Sequence, residues 1–188
     1  MKNPKSDVTV LLITFFLTVI FDLTIAIEVG LVIACVLFMR RVMETTEISV
    51  IKDEIDPNAE SDIASNDEHL IIPEDVEVYE INGPYFFGIA TKFDDLMRST
   101  MGRKPLVRII RMRKVPFIDA TGLHNLESLI RSSQAEGIRI VLSGVNENVH
   151  RTLDNASIKD LVGSENICSH ISKAVRMANK IVQEIGNK

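Results

Sequence analysis

Apolar residues fill the chain from position 8 to position 39, interrupted only by Asp22 and Glu28, and no later stretch is as uniform. A helix needs about 20 such residues to cross a bilayer. Residues 8–21 and 23–39 are each short for that, yet together they are too long for one straight span. Asp22 sits at the junction, and a charge at mid-bilayer costs roughly 3 kcal/mol or more. A turn that brings Asp22 to water meets both constraints, and Asp22 can then cap the second helix. Lys2 and Lys5 flank one end and Arg40 and Arg41 the other. The positive-inside rule puts both ends in the cytoplasm, as a hairpin requires; a single tilted helix would leave Lys2 and Lys5 outside. The pattern favours the hairpin. A signal peptide fits poorly, because the run is too long, ends in Arg-Arg and has no small-residue cleavage site after it. Glu28 is costly against lipid and is expected to face other helices.

From position 76 the period changes to short strands alternating with amphipathic helices. Residues 76–81 read as a strand, Asn82-Gly83-Pro84 as a turn, and residues 85–88 as the start of a second strand. Phe86, Ile89, Ala90, Phe93, Leu96 and Met97 recur at helical spacing, so a helix takes over near Ile89. Residues 106–112 form a buried strand broken by Arg108 and Arg111. A helix carrying Leu123, Leu126, Leu129 and Ile130 follows, and Gly137 closes it. Residues 138–142 are a strand, Val149, Leu153 and Ala156 mark a helix, and residues 166–169 a last short strand. The final helix shows a stripe from Ile171 to Ile185. This order implies an α/β fold: a mixed, mainly parallel sheet packed by helices, with a hairpin strand at one edge.

Charge divides the chain into three: +1 over residues 1–41, −10 over 42–75 and +4 over 76–188. The expected organisation is therefore a transmembrane hairpin (1–41), an acidic linker (42–75) and a folded domain (76–188). Residues 53–68 carry too little apolar surface to order themselves; residues 47–51 fit either a short strand or a continuation of the second helix. Cys35 and Cys168 make no disulfide framework, and the four histidines share no ligand spacing, so neither a metal nor a cofactor is expected. No phosphate loop, nucleophile elbow, paired catalytic carboxylates or Cys/His arrangement is present, which argues against an enzyme. The modest positive charge, without interleaved aromatics, argues against nucleic acid. Arg103, Lys104, Arg108, Arg111, Arg113 and Lys114 read either as solvated strand ends or as a face toward anionic headgroups or an acidic partner.

One loop is a candidate for chemistry. Asp119-Ala120-Thr121-Gly122 lies between a buried strand and a helix amino terminus, where unpaired N–H groups and the helix dipole suit a phosphate or nucleotide. Asp119 or Thr121 can cap the helix, and Gly122 permits close approach of another group. The Thr121 hydroxyl could accept a phosphoryl group. The plain alternative is a helix cap and nothing more.

The runs VEVYEINGPYFFG, RMRKVPFIDATGL and GIRIVLSGV resemble the STAS domain of SulP-type sulfate permeases, and FDLTIAIEVGLVIACVLFMRRV resembles the last membrane helix of that family with its preceding turn. The resemblance covers nearly the whole chain. It implies the carboxy-terminal part of a transporter of inorganic, sulfate-like anions in the bacterial inner membrane, with a cytoplasmic STAS domain regulating transport through protein or nucleotide contacts. The implied partners are the membrane, the upstream membrane domain, a second protomer in a homodimer, and a nucleotide or cytoplasmic regulatory protein. The STAS fold is shared with anti-sigma-factor antagonists, whose loop at this place reads Asp-Ser-Ser-Gly with a phosphorylatable Ser. Here Thr121 stands at that Ser and Ala120 replaces the other. A membrane-tethered adaptor switched by phosphorylation is therefore the alternative, although an adaptor needs no membrane segment. The family's anion-site helices lie upstream, so these residues alone are not expected to move sulfate into liposomes.

Overall fold

The computed structural model describes residues 5–45, 47–51, 54–55, 70–86, 93, 96 and 104–186. Two compact units divide the chain, Met1–Thr45 and Thr46–Lys188.

In the first unit, α1 (Lys5–Ile20) and α2 (Leu23–Thr45) pack against each other, and only Phe21 and Asp22 separate them. They form a helical hairpin. Asp22 Oδ1 accepts the Ile25 N–H at 2.9 Å, the cap expected of it, and its carbonyl accepts the Ala26 N–H at 3.1 Å. Small residues let the helices approach: Ala26 and Gly30 are buried, and a Cβ on Gly30 would strike the Thr14 side chain. Thr14 and Thr18 donate their hydroxyls to carbonyls one turn back, so α1 brings no unpaired hydroxyl to this contact. The outward side chains are greasy, with Leu11, Phe15, Val19, Leu31, Val32 and Phe38 all exposed. Leu23–Arg41 is long and apolar enough to cross a membrane; the apolar part of α1, Val8–Ile20, is shorter. Glu28 is exposed on α2.

The second unit is built on a five-stranded sheet of order β1-β4-β5-β6-β7, with β1 Glu47–Ile51, β4 Val76–Asn82, β5 Val107–Lys114, β6 Arg139–Ser143 and β7 Ile167–Cys168. The last four strands pair in parallel, and β1 closes one edge antiparallel to β4. Two short strands, β2 (Glu54–Ile55) and β3 (Leu70–Ile71), form a separate antiparallel pair. The edge strand differs from the expected one. Residues 85–88 were to supply it; residues 87–88 lie outside the described residues, and Tyr85 makes an isolated parallel bridge to Ile118, after Gly83 (φ 119°) and Pro84 have turned the chain from the ladder. The edge is instead filled by β1, from within the acidic stretch. Its Ile48, Val50 and Ile51 are β-branched and half-buried, which favours a strand over a longer helix. Phe93 and Leu96 are helical, and the rest of the helix expected near Ile89 lies outside the described residues.

Helices α3 (Ala120–Ala135), α4 (Glu147–Asn155) and α5 (Ile158–Val162) connect the parallel strands, and α6 (Ile171–Gly186) ends the unit. Gly137 closes α3 with φ 79°, as expected. Val76, Val78, Val107, Ile109 and Val141 share a core with Ile171, Ala174, Val175 and Ala178 of α6. Tyr79, Ile110, Met112 and Leu142 alternate with these and are buried on the other face. That face meets α3, since Arg108, of the same parity, donates from Nη1 to Ser133 Oγ of α3 at 3.3 Å.

Of the basic run, Arg103 lies outside the described residues, and two of the four basic residues on β5, Arg108 and Arg111, are spent inside the sheet. Glu77 lies opposite Arg108 in register and Glu80 opposite Arg111. Glu77 Oε2 accepts from Arg108 Nε at 3.2 Å and from the Tyr79 hydroxyl at 2.9 Å. Arg111 Nη1 lies 3.1 Å from Glu80 Oε1, yet that oxygen has no aligned hydrogen bond, so the pair is held by Coulomb attraction between two nearly buried charges. Neither arginine is a solvated strand end.

Candidate functional site: the loop before helix α3

Strands β4, β5 and β6 all end at one edge of the sheet, and the loops leaving that edge are laced together. After β5 the chain turns at Val115, whose N–H donates to the Met112 carbonyl at 3.0 Å. Pro116 and Phe117 are exposed, and Phe117 is 53% exposed, unusual for an aromatic in this unit. Ile118 then pairs with Tyr85. The Tyr85 N–H donates to the Phe117 carbonyl at 3.1 Å, and the Asp119 N–H to the Tyr85 carbonyl at 3.3 Å. Tyr85 itself is 1% exposed, so the loop is strapped to a fixed point.

Asp119 is the N-cap of α3. Its backbone is extended (φ −86°, ψ 173°), and its Oδ1 accepts the Gly122 N–H at 2.6 Å. Of the two residues expected to be able to cap, Asp119 does so. Its carbonyl also accepts the Leu123 N–H at 2.9 Å, the first bond of the helix. Gly122 is required here by contact: a Cβ at this position would run into the Tyr85 carbonyl. Ala120 and Thr121 occupy the first turn and are exposed, so the Thr121 hydroxyl is presented to solvent beside the positive end of α3. The four residues singled out from sequence thus come together as one loop, with a capping Asp, a buried Gly and an exposed hydroxyl.

Sequence reasoning missed two supports. Asn146 caps α4 through a bond from the Val149 N–H at 2.9 Å, and its Nδ2 donates to the Val115 carbonyl. This ties the loop after β6 to the loop after β5 and sets two capped helix starts side by side. Gly144 (φ 68°) lets the β6 loop pass close to the backbone of Arg113. A Gly-Val-Asn sequence ahead of a helix was the available signal for the cap. Nothing local announced the Tyr85 strap. Among the described residues, no group of three or more His, Cys, Asp or Glu is arranged to hold a metal.

Four parallel strands in chain order, one antiparallel edge and a capped helix start at the carboxyl edge define an STAS-type α/β domain. The STAS domain family profile matches residues 69–174. A sulfate transporter family protein from Wolinella succinogenes is 38% identical with a TM-score of 0.57, over 61% of this chain and 93% of that one. The SulP transporter STAS domain from Vibrio cholerae is 35% identical with a TM-score of 0.53, over 62% and 88%. YvdB of Bacillus subtilis, which carries the name of a sulfate transporter, is 27% identical over 176 residues, or 90% of this chain. The chain belongs to the STAS domain family, as a member of its SulP-type sulfate transporter branch. It spans 30% of the length of YvdB.

Proposed function

We propose that this chain is the carboxy-terminal part of a SulP-type transporter of inorganic, sulfate-like anions. The observation that carries the reading is the union, in one chain, of an STAS domain and an apolar helical hairpin, in a chain of which 90% aligns with YvdB. In this reading α1 and α2 lie in the inner membrane of a bacterium, and the basic residues at both ends of the hairpin hold the STAS domain on the cytoplasmic side. The domain is not catalytic. It regulates transport through contacts with the membrane part, with a second protomer and with a cytoplasmic ligand or protein.

The loop from Asp119 to Gly122 is the regulatory contact. Asp119 and Gly122 fix the helix start, and Thr121 offers its hydroxyl either to a kinase or to the phosphate of a nucleotide. The test is sulfate uptake by cells that lack their own sulfate uptake and express the gene in its natural context. Removing residues 69–174, or substituting Thr121→Asp, is expected to change the rate while the protein stays in the membrane. An unchanged rate in both would refute the regulatory role. Incubation of the full chain with ATP and cytosolic extract, followed by peptide mass spectrometry, tests Thr121 directly; an unmodified Thr121 removes the phosphoryl reading and leaves the nucleotide one.

A further inference from the structure

We propose that the groove running along α6, between that helix and residues 164–169, is a docking site for an extended acidic peptide segment of a partner protein. Two hollows make up the groove. One, of about 600 Å³, lies against Ile167, Cys168 and Met177, and the other, of about 330 Å³, against Met177, Ile181 and Ile185. Both are lined by Glu165, Met177 and Lys180, so they run into one another. From Lys173 to Ile185 the groove follows α6 for about 18 Å, at roughly 1.5 Å per residue. Met177 and Ile181 pack on the buried core, which makes the apolar floor a firm one. Ile185 is among the few large apolar side chains the domain leaves exposed. The charges around this floor are uneven. Lys173, Arg176 and Lys180 reach in from α6 and Arg139 from the start of β6, against the acids Glu165 and Glu184. All four cations are exposed, and spacings of three and four residues put those of α6 in one stripe. Their neighbours engage them weakly. Lys180 is 3.9 Å from Glu184 with both side chains mostly in solvent, and Lys173 Nζ donates to Ser169 Oγ at 3.4 Å. The field of Lys173 reaches the groove wall: burial pushes the Cys168 thiol pKa up, and the Lys173 ammonium pulls it part of the way back.

Charge and shape together select the occupant. A second copy docking groove to groove would set two cationic stripes against each other. A lone phosphate or sulfate would fill only a small part of the length. A flat anionic bilayer would reach the cations at the rim and leave the apolar floor uncovered. A helix, roughly 10–12 Å across, is too thick for a groove whose volume is spread over about 18 Å. An extended chain fits each limit, and about six residues at roughly 3.3 Å apiece cover the length. Its successive side chains point to opposite sides, so acids at every second position recur about every 7 Å. The cations of α6 are stepped by about 4.5 and 6 Å along the helix axis, within reach of that repeat. The apolar residues between the acids would then settle on Ile167, Met177 and Ile181. Strand β7 lends little backbone, because the Ile167 N–H already donates to the Ser164 carbonyl, so side chains carry the recognition.

The experiment is fluorescence anisotropy with the full chain in non-ionic detergent and a labelled synthetic peptide, Asp-Val-Glu-Val-Asp-Val. Saturable binding is expected. A peptide of the same composition with its acids and valines in two separate blocks should bind several-fold more weakly. Arg176→Glu reverses one exposed charge in the stripe and should weaken the alternating peptide several-fold, with the unfolding midpoint of the domain unchanged. Lys159→Glu makes the same change of charge at a residue outside the groove lining and should leave binding where it was. Raising salt from about 0.05 M to about 1 M, where screening shortens to about 3 Å, should remove most of the binding. Phosphatidylglycerol added at the concentration of the peptide should not displace it. No saturable binding, equal affinity for the alternating and blocked peptides, equal losses from Arg176→Glu and Lys159→Glu, or displacement by phosphatidylglycerol would each overturn the proposal; the last would assign the groove to lipid headgroups.

Discussion

The helical hairpin and the STAS domain solve the same problem, the burial of apolar surface, in opposite directions. In the domain the large apolar side chains point inward: Val78, Ile109, Ile110, Leu126 and Leu142 are at most 1% exposed, and only Ile71, Phe117 and Ile185 stand out as exposed large hydrophobics among the described residues. In the hairpin it is the small residues, Ala26 and Gly30, that are buried, while a run from Val8 to Met39 turns its large side chains outward. Water tolerates isolated apolar side chains, but it penalises a continuous apolar surface on this scale. The domain carries the opposite feature. It holds two ion pairs, Glu77–Arg108 and Glu80–Arg111, within its sheet. In the proposed reading one unit faces hydrocarbon and the other water, and each substitution should be felt only where its own solvent rule is broken.

The largest effect is expected at Arg111. Arg111→Ala strands the Glu80 carboxylate, nearly buried and already short of hydrogen bonds, and should cost about 3–5 kcal/mol. Denaturant unfolding of the full chain in detergent, followed by tyrosine fluorescence of the domain, reads this, and the helicity of the hairpin should be unaffected. The reverse experiment is Leu31→Asp on the exposed side of α2, which should cost about 3 kcal/mol of membrane insertion. Here the domain's unfolding midpoint should stay where it is, and a shift would mean the two units are not independent. Next comes Gly122→Ala, whose methyl group meets the Tyr85 carbonyl. About 1–3 kcal/mol of destabilisation is expected by the same unfolding measurement. Asp119→Ala removes the cap on Gly122 N–H and should cost about 1 kcal/mol. Thr121→Ala should be the smallest, within about 0.5 kcal/mol, because its side chain is exposed. A large loss there would mean that Thr121 is structural and would weaken its reading as a contact.

What could be read without coordinates was whatever is local. Two caps were legible, Asp22 before α2 and, with Thr121 as the other choice, Asp119 before α3, because a cap is a contact three residues long; the equally local cap of Asn146 on α4 was not read. The stripe of α6 and the glycine stop of α3 were legible for the same reason. The edge strand was half legible: residues 47–51 read as either a short strand or a continued helix, and nothing local set them beside β4 at the sheet edge. The basic run on β5 misled in the other direction. Arg108 and Arg111 look solvated until the register sets Glu77 and Glu80 beside them, and register is a property of two strands, not one. In the candidate loop, the residue types were visible but not the reason for Gly122, since the carbonyl it must admit comes from Tyr85, far away in sequence.

The central claim is that the hairpin lives in lipid and the domain in water. Alkaline carbonate extraction of membranes from cells making the full chain tests it most directly, because carbonate strips peripheral proteins and leaves spanning ones. The chain should remain with the membrane pellet, and Leu31→Asp should shift a measurable share of it to the supernatant. Complete release of the unaltered chain into the supernatant would contradict the account.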